Sequence, residues 1–283
     1  FHLKVNDDRE FSSSMDRKWV DEESFGVNDL ASYFRHFSDF EKLLYGADRF
    51  YREHTAHVFR VWVMGVSIMN HFANNSINIQ KDVDDKLKKE EELNITSGEE
   101  EAMWCIIALS HDLGYPLGKI TGINESIRNI VGYFGKASLE DFAFSFPPQT
   151  HFLNDFILRF VASKLVLTND GSTNHLYKTS LQSKFYLKFS KSFEEYKHGI
   201  VSCIILMKNL VFFLESDYDF EEIKKLDAKD ARQFQIRKEI LRSIATHTCN
   251  DIYHINLNTF SFLLFFCDEA QFWGRPIFDD LLQ

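Results

Sequence analysis

Proline is scarce in this chain, four residues in 283, and two of the four are adjacent at Pro147-Pro148. With so few helix breakers, long stretches are free to stay helical. Cysteine is equally sparse. Cys105, Cys203, Cys249 and Cys267 lie in apolar or helical surroundings and show no close-paired zinc spacing, so they read as buried, reduced thiols of a cytoplasmic protein. Positive charge is also lacking. A formal net charge of −10 and a pI of about 5.6 argue against a broad electrostatic grip on nucleic acid, which depends on Lys and Arg against phosphates, and leave a local basic pocket open. No apolar run is long enough for a membrane span: the strongest, 199–214, carries Lys208 and Asn209 and reads as a core helix. No amino-terminal signal pattern is visible. The chain opens on Phe1 without an initiator Met, which leaves open a removed leader or a place within a longer, multidomain chain.

What is abundant is apolar bulk. Apolar residues make up 45% of the chain, with 29 Phe among them, enough to bury one large core or two modest ones. Steps of three and four residues between apolar positions predict helices over 29–51 and 57–72. The polar, charge-rich stretch 74–100 reads as a surface insertion. Ser97, with Glu100 three residues on, predicts a capping box that starts the next helix, which runs to "ALSHDL". Further helices are expected over 122–135, 151–166, about 193–215, 228–249 and 257–273, with a break at "FSFPPQT" (144–150). Alternation around Asn169-Asp170-Gly171 predicts a small β-hairpin flap over 165–180. The expected fold is a mostly α, single-domain helical bundle with its core at about 50–275.

Five places set histidine or aspartate into strongly apolar helical context: His57, the doublet His111-Asp112, His198, His247 and Asp268. Burying such a group without a partner costs several kcal/mol. Each has an ordinary explanation taken singly, including an Asp268 paired with Arg275 or Arg60. Together they are imidazoles and carboxylates, the ligand types that hold first-row divalent metals without thiolate. His111 and Asp112 differ by about 100° around a helix, so they can straddle an ion at the helix end but cannot share one face.

In the order His57, then His111-Asp112, then Asp268, with the phrases "HVFRV" and "ALSHDLG", the chain resembles the HD superfamily of metal-dependent phosphohydrolases. His198 in "KHGIVSCIIL" and His247 in "IATHT" resemble the additional ligands of its two-metal branches. The tail "CDEAQFWGRP" is similar to HD proteins of bacterial conflict systems. The resemblance implies an HD-type bundle in which His57, His111, Asp112 and Asp268 hold one ion, with His198 and His247 completing a second. Asp112 would then be the bridging ligand and His111-Asp112 the catalytic pair. The cofactor implied is one or two divalent transition-metal ions (Fe, Mn, Ni or Zn, with Mg also open). Two departures stand out. Some two-metal members carry a histidine pair where this chain has His247-Thr248. Gly114-Tyr115-Pro116 follows the doublet directly, whereas the cyclic-dinucleotide branch places such an element well downstream, so here it reads as the turn that ends the helix.

The implied activity is hydrolysis of a small phosphorylated substrate, a nucleotide before nucleic acid, given the acidic chain. Arg60, Lys119 and Arg275 are the candidates for contacting phosphate, and Lys197 is a weaker one. Two alternatives stay open: an HD-type nuclease, and a non-catalytic HD module that binds metal or nucleotide for regulation.

Overall fold

The computed structural model describes residues 54–74, 79, 93–133, 151–168, 176–209, 225–253 and 256–271, with 32 and 35–39 besides. In chain order these form α1 (His54–Asn74), α2 (Ser97–Ser110), α3 (Tyr115–Gly132), α4 (His151–Ala162), β1 (Ser163–Thr168), β2 (Leu176–Leu181), α5 (Ser183–Glu194), α6 (His198–Asn209), α7 (Ala228–Thr246) and α8 (Phe260–Ala270). The fold is mostly α with one antiparallel hairpin, as the patterning predicts. Most of the helix expected over 29–51 lies outside the described residues, where only 32 and 35–39 are seen, as helix. Most of the charged stretch, the prolines at 147–148 and the Asn-Asp-Gly turn also lie outside them.

At the centre is α7, which touches α2, α4, α6, α8 and both strands. From Ala231 to Thr246 almost every position is buried, polar ones included. Most of those polar groups find partners, within the helix or across to its neighbours. Gln235 Nε2 donates to Glu239 Oε1 at 2.7 Å, and Lys238 Nζ stands 3.2 Å from the same oxygen. Arg242 donates to the carbonyls of Val161 and Ser163 at 2.8 and 2.7 Å, tying α7 to the α4–β1 junction.

Two contacts fix how α1 and α2 cross. Trp104 is fully buried and its indole N–H donates to the Trp62 carbonyl at 2.9 Å. Gly65 lies directly beneath that ring, where a Cβ would sit 2.0 Å from Cζ2, so only glycine permits this approach. The two helices that carry the first histidine and the doublet are thereby locked face to face.

The α2 start corrects the sequence reading by one residue. Thr96, not Ser97, is the N-cap: its Oγ1 accepts from Glu99 N–H at 3.3 Å, and Glu99 Oε2 accepts from Thr96 N–H at 2.8 Å. Arg232 of α7 bonds the same carboxylate, so the cap also anchors α2 to the central helix.

Three further boundaries differ from expectation. α3 begins at Tyr115 rather than 122, because Pro116 sits in its first turn, where its missing N–H costs nothing. The Gly-Tyr-Pro element therefore ends one helix and starts the next. α4 stops at Ala162, and the chain turns straight into β1, paired with β2 in a register that runs from Ser163↔Leu181 to Thr168↔Leu176. Lastly, a separate helix, α5, precedes α6. Its end is a Schellman motif: Lys197 N–H bonds Ser192 O at 2.9 Å and Tyr196 N–H bonds Phe193 O at 3.0 Å, with Tyr196 at φ 50°.

One face of the hairpin joins the core through Leu165 and Tyr177, both fully buried. All four cysteines are free thiols, three of them buried and Cys105 half-buried. Burial pushes the Cys267 thiol up to about 12. Among the described residues, no helix is long and apolar enough to cross a membrane.

Candidate metal centre

Helix ends build most of this site. His111 is the C-cap of α2 and His247 the C-cap of α7, and the two make the same local contact. His111 Nδ1 donates to the Ala108 carbonyl at 2.8 Å, and His247 Nδ1 donates to the Ile244 carbonyl at 2.5 Å. Each satisfies a carbonyl that the ending helix would orphan, and each thereby fixes its own tautomer. The proton on Nδ1 leaves Nε2 to face inward, the arrangement in which imidazole binds a metal.

Both Nε2 atoms are buried and make no hydrogen bond of ordinary geometry. Both face Asp112, at 3.3 Å from His111 and 3.8 Å from His247, the latter too long for a hydrogen bond. The other five residues expected as ligands gather around this carboxylate. Its Oδ2 faces His57 at 3.6 Å and His111, while its Oδ1 faces His198 at 3.2 Å and His247. Asp268 enters from α8 with Oδ1 3.0 Å from His57 Nε2, so His57 is a partner of this carboxylate.

Three overlapping groups have ligand atoms close enough to hold an ion: His57, His111 and Asp112; His111, His247 and Asp268; and Asp112, His198 and His247. The donor set is wholly nitrogen and oxygen, and two of its buried nitrogens lack hydrogen bonds. Those are the properties of a site that fits a divalent cation.

The electrostatics agree. Burial would keep His111 neutral, but the adjacent Asp112 carboxylate, helped by Asp268, pushes it up to about 9. Burial would raise Asp112, yet His111 first, then His198 and His247, hold it well below the usual carboxylate range. Asp268 is likewise held low, against burial, by its bond to His57. Burial wins at His57 and His247, whose pKa values fall. At neutral pH two carboxylates are thus faced by one imidazolium among His57, His111 and His247. That excess of negative charge invites a cation.

Two close approaches set the parts in place. At Gly114, a Cβ would sit 2.4 Å from the His198 carbonyl. The Gly114 N–H donates to Ser202 Oγ at 2.8 Å, and that hydroxyl lies 2.6 Å from His111 O and 2.8 Å from His198 O. Ser202 thus pins the doublet to the start of α6. At Gly199, a Cβ would sit 2.6 Å from the Ile244 carbonyl, and the Gly199 N–H donates to Thr248 Oγ1 at 3.1 Å. The residue after His247 is therefore a brace between α6 and α7.

Two participants were missed in the sequence. His54 is buried beside the cluster, with Nε2 3.9 Å from Asp112 Oδ2. It lies three residues before His57, on the same helix face, and that spacing was the available signal. Ser202 is a serine within the apolar "GIVSCIIL", the same kind of anomaly that exposed the histidines. Of the expected phosphate contacts, Arg60 is exposed one turn after His57, Lys119 is half-buried on α3, the Lys197 side chain is 37% exposed beside His198, and Arg275 lies outside the described residues. The grouping of these side chains is what any functional reading must rest on: no protein-family model matches this chain, and no curated protein or solved structure matches it.

Proposed function

We propose that the chain is an HD-type metal-dependent phosphohydrolase acting on a small anionic phosphoester, with a nucleotide as the preferred class. The observation that carries this reading is the Asp112 carboxylate, whose two oxygens face two different sets of histidines. His57, His111, Asp112 and Asp268 would hold one divalent ion, and Asp112, His198 and His247 a second. Bound there, such ions supply Lewis-acid activation of water and neutralise charge on a phosphoryl group.

The chain's own residues do the rest. Backbone carbonyls hold the His111 and His247 rings with Nδ1 engaged and Nε2 facing inward, so the rings need no reorientation to meet an ion. His198, with its side chain 30% exposed, and Asp268 at 17% are the open edge of an otherwise closed cluster, so substrate enters beside them. Lys119, on α3 near that edge, offers a cation to phosphate. A small anion suits this confined opening in an acidic chain better than a polymer does.

The test is metal content per chain together with hydrolysis of a generic phosphodiester and of nucleotides, for the parent, His111→Ala and Asp112→Ala. The expected result is metal in the parent and loss of both metal and turnover in the variants. A parent that takes up no metal on reconstitution, while the variants fold as it does, would sink the reading.

A further inference from the structure

At the N-terminal end of α3 a stack of three side chains runs outward from the cluster. His54 is its buried base, 1% exposed, and its ring lies 3.8 Å from that of Tyr115, centroid to centroid, tilted by 42°. Tyr115 is half-buried, and its ring also meets the edge of His198, 5.8 Å away, at the open side of the site. Lys119 Nζ sits over the Tyr115 ring at 5.0 Å. The spacing explains this last contact. Tyr115 and Lys119 are i and i+4 on one helix, and helical side chains lean towards the N-terminus, so the Lys119 stem is carried back over the ring. An ammonium on a ring face is held by about 0.5–1 kcal/mol at exposed sites, enough to bias a flexible side chain towards one position.

We infer that Tyr115 is a positioning residue which, braced from below by His54, holds the Lys119 ammonium at the mouth of the site as a subsite for a phosphate of the substrate. This deepens the phosphohydrolase reading and rests on it. Three features favour the assignment over a chance surface contact. The ring bridges a buried histidine and a candidate metal ligand, so its position is tied to the cluster's. Gly114, immediately before it, is bonded to Ser202 in the floor of the site, which fixes the helix start. Pro116, immediately after it, restricts the backbone of that first turn.

The probe is inorganic phosphate, titrated calorimetrically into the manganese-loaded full chain, with metal content and circular dichroism followed for every variant. Lys119→Met should weaken phosphate about tenfold, the loss of one charge-assisted hydrogen bond. Tyr115→Leu should weaken it about threefold, the loss of the cation–π restraint, with Tyr115→Phe at parent affinity. The double variant Tyr115→Leu/Lys119→Met should be no weaker than Lys119→Met alone, because Tyr115 acts through the lysine. His54→Leu, which removes the brace and also a histidine 3.9 Å from Asp112, is the second route should Tyr115→Leu not fold; with metal content at the parent level it should give a similar small loss.

Parent affinity in Lys119→Met with metal retained overturns the subsite and leaves the metal reading standing. An effect of Tyr115→Leu that persists in the Lys119→Met background overturns the positioning role, as does loss of metal in Tyr115→Leu. A parent that holds no metal overturns the phosphohydrolase reading and this inference together.

Discussion

The ends of α2 and α7 are built alike and behave oppositely. Each closes on a histidine that returns its Nδ1 proton to the carbonyl three residues back and turns Nε2 inward. Yet His111 is pushed up to about 9 and His247 is held below its ordinary value. The difference lies in how closely each imidazole meets Asp112, 3.3 Å for His111 and 3.8 Å for His247. After His111 comes Asp112, a buried carboxylate in direct contact; after His247 comes Thr248, whose hydroxyl is engaged with the Gly199 N–H. The helix end presents the imidazole; close contact with Asp112 raises His111 against burial, whereas burial, with His198 and His111 nearby, keeps His247 low despite its own contact with Asp112. A histidine at a helix end is thus a generic presenting device, whereas an aspartate beside it builds a grouping that could hold a metal ion.

Removing the shared carboxylate breaks the comparison most severely. If the proposed sites hold metal, Asp112→Ala would take a ligand from both histidine sets at once, whereas His247→Ala would take one from a single side. Loss of even an outer-shell partner costs about 10–100-fold in metal affinity, so Asp112→Ala should exceed about 100-fold and empty the whole site. His247→Ala should retain metal at the His57, His111, Asp112 and Asp268 set. Metal content after dialysis against a graded chelator series separates the two outcomes. Equal losses would mean that the two sides are one site.

Acidity sharpens the contrast without mutation. His111 binds its proton more tightly folded than unfolded, so its contribution to stability is complete below pH 6.5 and is lost as pH rises towards about 9. His57 and His247 are shifted down, so the unfolded chain takes up protons first and stability falls as pH drops below 6.5. Asp112 and Asp268, both held low, add a further loss once pH falls below about 4. The metal-free protein should therefore be most stable near pH 6.5. A bound ion needs the His111 lone pair and expels its proton, so the decline from 6.5 to 9 should vanish on loading. Thermal melts across pH, with chelator and with metal, read this directly. An alkaline decline that survives saturation with metal would contradict ligation by His111.

Sequence patterning was most legible where charge met apolar helix. His57, His111, Asp112, His198, His247 and Asp268 stood out because burial makes each costly, and the structure places all six in one cluster. Local boundaries were harder, for identifiable reasons. Thr96 and Ser97 both offer a hydroxyl with a glutamate three residues on, Glu99 and Glu100, so the sequence contains two capping boxes and backbone geometry selects the first. The break between α5 and α6 carries no glycine or proline; Tyr196 adopts a left-handed φ that few tyrosines take, held by the Schellman bonds. Pro116 signalled a stop and served as a start. Ser202 and His54 each carry a local signal, a serine in an apolar run and a three-residue step to His57, but what they touch, Gly114 and Asp112, lies 88 and 58 residues away in the chain, which local pattern does not give.

The smallest expected effect separates the two braces. Ser202→Ala leaves the buried Gly114 N–H without its acceptor, and Thr248→Val does the same to the Gly199 N–H. An orphaned donor costs about 1–3 kcal/mol when fully buried. Ser202 is fully buried and Thr248 is not, so Ser202→Ala should fall at the upper end of that range and Thr248→Val nearer ~1 kcal/mol in denaturant unfolding. The consequences for metal should differ in kind as well. Ser202 joins the His111 and His198 backbones, so its loss loosens both sides of Asp112. Thr248 joins α6 to the end of α7, so its loss slackens only the His198 and His247 side. Chelator competition should find one weakened population in Thr248→Val and two in Ser202→Ala. If Thr248→Val weakened both alike, the two sides of Asp112 would be mechanically coupled through α6, and the independence of the two helix ends would be lost.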